Sequence, residues 1–106
     1  MTNDAGEQTT SIDKVLETRG SRYGDFASNA LLSQTLQQIL LQHAHRSDNA
    51  NLEPYMVEAL TYICQKLSRI ASGDPFYDDN WVDISGYSTL VVNELHKRTA
   101  NEQNDS

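Results

Sequence analysis

The sequence predicts an all-α fold, a four-helix bundle, and three observations lead to this prediction. Apolar residues recur at intervals of three and four in four separate segments, which is the spacing of amphipathic helices. No segment shows the alternation that is typical of a half-buried strand. Short connections separate the four segments, and helices joined in this way pack as antiparallel neighbours. With 106 residues the chain is long enough for one small domain and not for two.

The predicted helical domain covers residues 11–98. Residues 1–10 and residues 99–106 carry no apolar pattern, so we expect a disordered leader and a disordered tail. A domain of this size buries only ~60–70% of the surface that its unfolded chain exposes. A partner chain would therefore add stability, and we expect the protein to be oligomeric.

The first two helices are predicted from their caps. The hydroxyl of Ser11 can accept an orphan backbone N–H, so the first helix is expected to start there and to end at Gly20 in a left-handed conformation. Asp25 is the expected cap of the second helix, which runs to about His43 before a turn-rich break. Their apolar stripes are Ile12, Val15 and Leu16, and then Phe26, Ala30, Leu32, Leu36, Ile39 and Leu40.

The third and fourth helices are longer and more regular. Pro54 suits the first turn of a helix, because the N–H that it lacks would be unpaired there. Gly73 is expected to end the third helix, and a short loop then brings Asp78 to the cap position of the fourth. Each helix has one expected core stripe, formed by Met56, Leu60, Ile63, Cys64, Leu67, Ile70 and Ala71, and by Trp81, Ile84, Tyr87, Val91 and Leu95.

The composition narrows the class of protein. Eight basic and fifteen acidic residues give a net charge of −7, which argues against direct binding of duplex DNA, because such a surface needs clustered Lys and Arg. No apolar run approaches the ~18 residues of a membrane span, and the polar start is no signal peptide. The single cysteine, Cys64, excludes a disulfide scaffold and is expected to be an inert buried thiol. These features predict a cytoplasmic protein.

Several side chains of the third helix are not explained by its core stripe. Tyr62, Lys66 and Arg69 stand at i, i+4 and i+7, so they share one face of the helix. Glu58 lies one turn before Tyr62 on that same face. This face is therefore a candidate wall of a binding site.

The fourth helix begins with an acidic group. Asp79 and Asp83 are four residues apart and Asn80 precedes Asp83 by three, so all three lie on one side. Acidic residues also stabilise helix starts through the helix dipole, an alternative that suits Asp79 better than Asp83. Gly86, which costs about 0.5–1 kcal/mol relative to alanine inside a helix, suggests the close approach of another helix or of a ligand, the helix being the commoner cause.

The connection between the first two helices concentrates Arg19, Arg22, Tyr23 and Asp25. A guanidinium matches the geometry of a phosphate, and an aromatic ring can stack on a base. A salt-bridged loop that docks on a neighbouring helix explains the same residues equally well. Both interpretations stay open at this point.

Three segments resemble a family of small phage and prophage proteins of unknown function. They are R-x-x-R-Y-G-D-F at residues 19–26, K-x-x-R-I-x-x-G-D-P at residues 66–75 and D-N-W-x-D-I-x-G-Y at residues 79–87. The similarity covers most of residues 12–95. It implies a phage-type protein acting in the host cytoplasm, without implying an activity.

A more distant similarity is to the MazG-like all-α nucleoside triphosphate pyrophosphohydrolases. Members are four-helix units that assemble as dimers or tetramers, and carboxylates from two antiparallel helices hold Mg²⁺ at the triphosphate. The family pattern is E-x-x-E on one helix and E-x-x-D on a later one. In this chain Asn80-x-x-Asp83 stands in place of E-x-x-D, and Glu53 and Glu58 are five residues apart instead of three.

The resemblance implies a homodimer or homotetramer that handles a nucleotide or nucleotide-like small molecule. Asp83 alone matches the family pattern as written; together with Asp79 and with Glu58 from a facing helix it forms the expected set of Mg²⁺ ligands and catalytic residues. The expected substrate-binding residues are the basic and aromatic side chains Arg22, Tyr23, Lys66, Arg69 and Tyr87.

Three functions follow as hypotheses. The first is a Mg²⁺-dependent pyrophosphohydrolase, placed first because Asp79 and Asp83 share a helix face before Gly86. The second is a non-catalytic protein that binds or sequesters a nucleotide, since the acidic set is incomplete beside a basic and aromatic set. The third is an acidic interaction protein that inhibits a host enzyme, motivated by the net charge of −7.

Overall fold

The computed structural model describes residues 3–46 and 51–105, and this part of the chain is helical without a strand. The prediction of an all-α, four-helix fold is confirmed. The four helices, in chain order, are α1 (Asn3–Tyr23), α2 (Phe26–Arg46), α3 (Pro54–Ser72) and α4 (Asp79–Asp105). Among the described helices, none combines the length and the apolar character that crossing a bilayer requires.

The third helix, α3, is the centre of the fold. It packs against α2 on one side and α4 on the other, and the described parts of α2 and α4 do not contact each other. The first helix, α1, contacts α2 and α3. The chain measures 76 × 29 × 25 Å with a radius of gyration of 19.4 Å, whereas a compact domain of this length has about 13 Å. The helices therefore form an open arrangement.

The predicted starts of α2, α3 and α4 are confirmed. The Ser28 N–H donates to the Asp25 carboxylate at 3.0 Å, which is the bond of an N-cap. Pro54 is the first residue of α3. The Val82 N–H donates to the Asp78 carbonyl at 2.9 Å, so α4 begins directly after Asp78.

The predicted end of α1 at Gly20 is wrong. The helix continues to Tyr23, and Gly24 adopts the left-handed conformation, with φ of 85°. The Gly24 N–H donates to the Gly20 carbonyl at 2.8 Å. A Cβ on Gly24 would lie 2.6 Å from the Ser72 carbonyl oxygen, whereas Gly20 has open space around it. Contact with the end of α3 therefore decides which glycine ends α1.

The predicted disordered ends also differ from the structure. The helix α1 already starts at Asn3, and α4 runs on through residues 99–105. Once a helix has formed, each further residue adds a backbone hydrogen bond at little cost. In α4 the extension also gains an ion pair between Arg98 and Glu102, at 3.2 Å. Residues 1, 2, 47–50 and 106, which include part of the predicted leader, break and tail, lie outside the described residues.

Few apolar side chains are buried within one chain. Among the described side chains the buried apolar residues are Ala59 and Cys64, and burial raises the pKa of the Cys64 thiol. The predicted core stripes of α3 and α4 remain partly open, since Leu67 is 42% and Trp81 52% exposed. The interpretation of these stripes as a closed core is therefore wrong for the single chain.

Gly86 is not explained by packing inside the chain. A Cβ added there meets no atom within 4 Å. The close approach of another helix, which was the favoured explanation of this glycine, is therefore wrong among the described residues.

Candidate functional site

The end of α1 docks on the end of α3. The Asp74 N–H donates to the Arg22 carbonyl at 3.0 Å. Gly73 lies so close to the Arg22 carbonyl that a Cβ would overlap it. Two segments singled out in the sequence, residues 19–26 and residues 66–75, therefore meet through their glycine-containing backbone.

This docking brings together Arg22, Tyr23, Arg69 and Tyr77, which we call the arginine–tyrosine cluster. Arg22 Nη1 donates to the Tyr77 hydroxyl at 3.2 Å, and its guanidinium carbon lies 4.6 Å from the Tyr77 ring centroid. The Arg69 guanidinium carbon lies 4.8 Å from the Tyr23 ring centroid. The two rings have centroids 6.0 Å apart and planes inclined by 52°. Both guanidinium groups are thus held over aromatic faces.

A buried hydrogen-bond network holds the backbone beneath the cluster. The Asn29 side-chain amide donates to the Tyr23 carbonyl. The Ser68 hydroxyl, which is fully buried, donates to the Asn29 carbonyl at 2.8 Å. This chain of bonds links α1, α2 and α3, so the cluster is set on packed helices and not on a free loop.

A cavity of about 430 Å³ lies beside the cluster, between α1, α2 and α3. It combines apolar and aromatic side chains with amides and one guanidinium, a mixture that is typical of small-molecule sites. Its lining residues are Leu16, Tyr23, Gly24, Phe26, Asn29, Ala30, Ser33, Gln34, Gln65 and Arg69.

Tyr77 is the member of the cluster that sequence reasoning missed. It lies in the loop between α3 and α4, and its position after Asp74-Pro75 was the available signal that this loop is structured. Its hydroxyl accepts the Arg22 hydrogen bond. Desolvation, followed by the nearby Asp79 carboxylate, raises the pKa of the Tyr77 phenol.

Lys66 and Asp83, both predicted site residues, are paired with each other. Lys66 Nζ lies 3.0 Å from Asp83 Oδ2, and the two side chains are 12% and 38% exposed. The pair joins α3 to α4. The ammonium group of Lys66 is therefore engaged by Asp83 and is not part of the arginine–tyrosine cluster.

Glu58 and Tyr87 lie at a third location. Tyr62 and Tyr87 stack with ring centroids 4.8 Å apart and an interplanar angle of 6°. They line, with Glu58, a largely apolar groove of about 620 Å³ between α3 and α4. The predicted site residues thus separate into the cluster, the ion pair and this groove, and Asp79 stands at the start of α4 near Tyr77.

The acidic residues do not form a metal site within the chain. No three His, Cys, Asp or Glu side chains of the described residues gather closely enough to hold a metal ion. Glu58, Asp79 and Asp83 therefore do not converge, and the cation beside Asp83 is Lys66. Asn80, at the position of the first family acid, is 1% exposed and its side-chain atoms have no hydrogen-bond partner among the described residues. The residues present do not fit Mg²⁺ in a single chain.

Comparison with protein-family models, with curated proteins and with solved structures gives no match for this chain. The resemblances to a phage family and to the MazG-like enzymes therefore stay predictions.

Proposed function

We propose that the protein binds a nucleotide or nucleotide-like small molecule at the arginine–tyrosine cluster, without hydrolysing it. The observation that carries the proposal is the convergence of Arg22, Tyr23 and Arg69, three of the predicted substrate-binding residues, from two distant parts of the chain. Tyr23 and Arg69 line the cavity, and Arg22 lies beside them over the Tyr77 ring.

The charge of the cluster supports an anionic ligand. None of the ion pairs formed by the described residues involves Arg22 or Arg69, although the chain carries a net charge of −7. Stacking on a tyrosine holds a guanidinium in place and leaves N–H donors for a phosphate. The alternative of a salt-bridged loop has no ion pair at Arg22 among the described residues, although the end of α1 does dock on α3.

The residues that line the cavity suit a planar group bound next to the phosphate. Tyr23 and the exposed ring of Phe26 offer aromatic faces. The side-chain amides of Gln34 and Gln65 supply donors and acceptors of the kind that read the edge of a base.

Binding is favoured over hydrolysis by the placement of the acids. The predicted catalytic residues Glu58, Asp79 and Asp83 do not gather at one point among the described residues: Asp79 lies near Tyr77, and Asp83 is paired with Lys66. Mg²⁺ needs carboxylate oxygens that reach one point.

The experiment is a thermal-shift screen of the full chain against linear and cyclic nucleotides, with the matching nucleosides as phosphate-free controls. We expect a nucleotide to raise the unfolding temperature without Mg²⁺ and to be recovered intact. Arg69→Gln should abolish the shift, whereas Arg98→Gln, an equal charge change on an exposed arginine of α4, should leave it. Equal shifts in the two variants would contradict the site, and release of pyrophosphate with Mg²⁺ would favour the hydrolase.

We further propose that the protein is a cytoplasmic homo-oligomer, a dimer or tetramer, without direct binding to duplex DNA. The partly open core stripes support the oligomer, because apolar surface of this extent is normally covered. The net charge of −7 supports the absence of direct binding to duplex DNA.

A further inference from the structure

We propose that a second copy of this chain covers one face of the α3–α4 pair, which we call the apolar face. Its residues are Leu60, Ile63 and Leu67 of α3 and Trp81, Ser85, Ser88, Val92 and Leu95 of α4. The inference rests on the proposed homo-oligomer and says which surface forms it.

The helix α4 carries a seam whose side chains stay exposed in the single chain, although the Trp81 indole N–H donates to the Pro75 carbonyl at 2.9 Å. Its members follow intervals of four, three, four and three residues, the spacing of a helix that packs along a second helix. Trp81, Val92 and Leu95 are 52%, 44% and 38% exposed. Ser85 and Ser88 separate them, and such small residues allow a partner helix to approach. The seam comprises Trp81, Ser85, Ser88, Val92 and Leu95.

The helix α3 carries a parallel stripe with the same intervals, of which Leu67 is the most exposed member. A second stripe on α3 lines the two cavities. Because these stripes are half a helical turn apart, they lie on opposite faces of α3. The apolar stripe is Met56, Leu60, Ile63, Leu67 and Ile70, and the cavity stripe is Glu58, Tyr62, Gln65 and Arg69.

The two apolar stripes lie on the same side of the molecule. The α2 side of α3 is marked by the bond from Ser68 to Asn29, and the α4 side by the ion pair of Lys66 with Asp83. On α4 the cavity side is lined by Leu90 and Lys97. The seam residues are rotated away from that side, so they adjoin the apolar stripe of α3.

A second copy is the occupant that these features fit. The face carries no charged side chain, so two chains of net charge −7 can meet there without opposing their charges directly. A face that packs on its own copy needs no other surface, as in a two-fold dimer. The chain also needs the cover, because Ala59 and Cys64 are its buried apolar residues among those described. The cavity side, with the arginine–tyrosine cluster, stays open.

The test compares the mass of matched variants by sedimentation equilibrium without nucleotide. We expect the wild type at twice 11.9 kDa or a higher multiple, and Ser88→Arg at 11.9 kDa. Asn93→Arg makes the same charge change on the exposed cavity side of α4 and should keep the wild-type mass. Both positions are exposed in the chain, so folding is checked by helical circular dichroism. Val92→Asp serves as a second seam variant.

Each outcome bears on the proposal. A wild type of 11.9 kDa would overturn it. Equal masses for Ser88→Arg and Asn93→Arg would overturn it as well, and would point to a different interface or to another protein as the occupant. Arg69→Gln should keep the wild-type mass while losing the nucleotide. Failure of nucleotide binding with an intact oligomer is thus distinguishable from failure of the interface.

Discussion

The ammonium group of Lys66 lies 3.0 Å from the Asp83 carboxylate, and this pair connects the central helix to α4. Asp83 was predicted to hold a metal and Lys66 to hold a phosphate. In the structure each is the counter-ion of the other, close to the point where the two helices pack. Within one chain the pair ties α3 to α4.

Removing the carboxylate should therefore destabilise the fold. Asp83→Asn leaves the largely buried ammonium of Lys66 without its counter-ion, so we expect the free energy of unfolding to fall by about 1–3 kcal/mol. Urea denaturation measures the change. Lys66→Met combined with Asp83→Asn should recover part of the loss, and a double variant no more stable than Asp83→Asn would argue against the pairing.

The buried side chain of Asn80 is expected to lower the free energy of unfolding. Its side chain is buried without a hydrogen-bond partner among the described residues. Asn80→Leu should raise the free energy of unfolding by about 1–3 kcal/mol, the cost of an unsatisfied polar group. Asn80→Asp, which places an acid where the MazG-like pattern has one, should lower it, because a charge is then buried.

The control for this prediction is Asn29→Leu. The Asn29 side-chain amide donates to the Tyr23 carbonyl, and its Oδ1 accepts from the Ser68 hydroxyl at 3.1 Å, so its replacement should destabilise the fold in denaturant. A stabilising Asn29→Leu, or a destabilising Asn80→Leu, would contradict the assignment of the two amides.

Replacing Gly86 and Gly24 by alanine should change the stability of the fold in opposite directions. Gly86 lies in α4 with open space around it, so Gly86→Ala should raise the free energy of unfolding by about 0.5–1 kcal/mol. Gly24 has φ of 85° and abuts the Ser72 carbonyl, so Gly24→Ala should lower it by more than about 1 kcal/mol. Chemical denaturation of both variants gives the two signs, and a loss of stability in Gly86→Ala would indicate a covered position.

We predict that the ionisation of Tyr77 lowers the stability of the fold in alkali. Its pKa is raised in the folded protein, chiefly by desolvation, so the unfolded chain gives up this proton more readily. The stability that the protonated Tyr77 contributes is fully present below the ordinary tyrosine pKa of about 10 and is lost as the pH rises through the folded pKa. Melting curves from pH 8 to pH 11 should fall less steeply for Tyr77→Phe than for the wild type. Tyr55→Phe, outside the cluster, should follow the wild type.

Local chemistry made the helices predictable. Asp25, Pro54 and Asp78 act on the residues next to them, so the starts of α2, α3 and α4 follow from the sequence. The choice between Gly20 and Gly24 does not, because it depends on Ser72, which is distant in the chain. The spacing of Leu67 likewise tells which side of α3 is apolar without telling what covers it.

The site was predictable in its chemistry and only partly in its membership. Arg22, Tyr23 and Arg69 were identified because their residue types suit a phosphate and a ring. Tyr77 joins them through a loop whose path depends on docking between α1 and α3. The grouping of Glu58 with Asp83 was wrong within the chain. Glu58 of α3 lies beside the part of α4 around Tyr87, whereas Asp83 pairs with Lys66 further along α3.

Because α3 packs between α2 and α4, we expect the helices to open to solvent in a defined order. Amide hydrogens around Cys64 and Ser68 are shielded by helices on both sides, whereas residues 99–103 at the end of α4 are exposed. In deuterated water this end of α4 should exchange first and the middle of α3 last. That middle segment is the part of the chain that a folding nucleus would have to build.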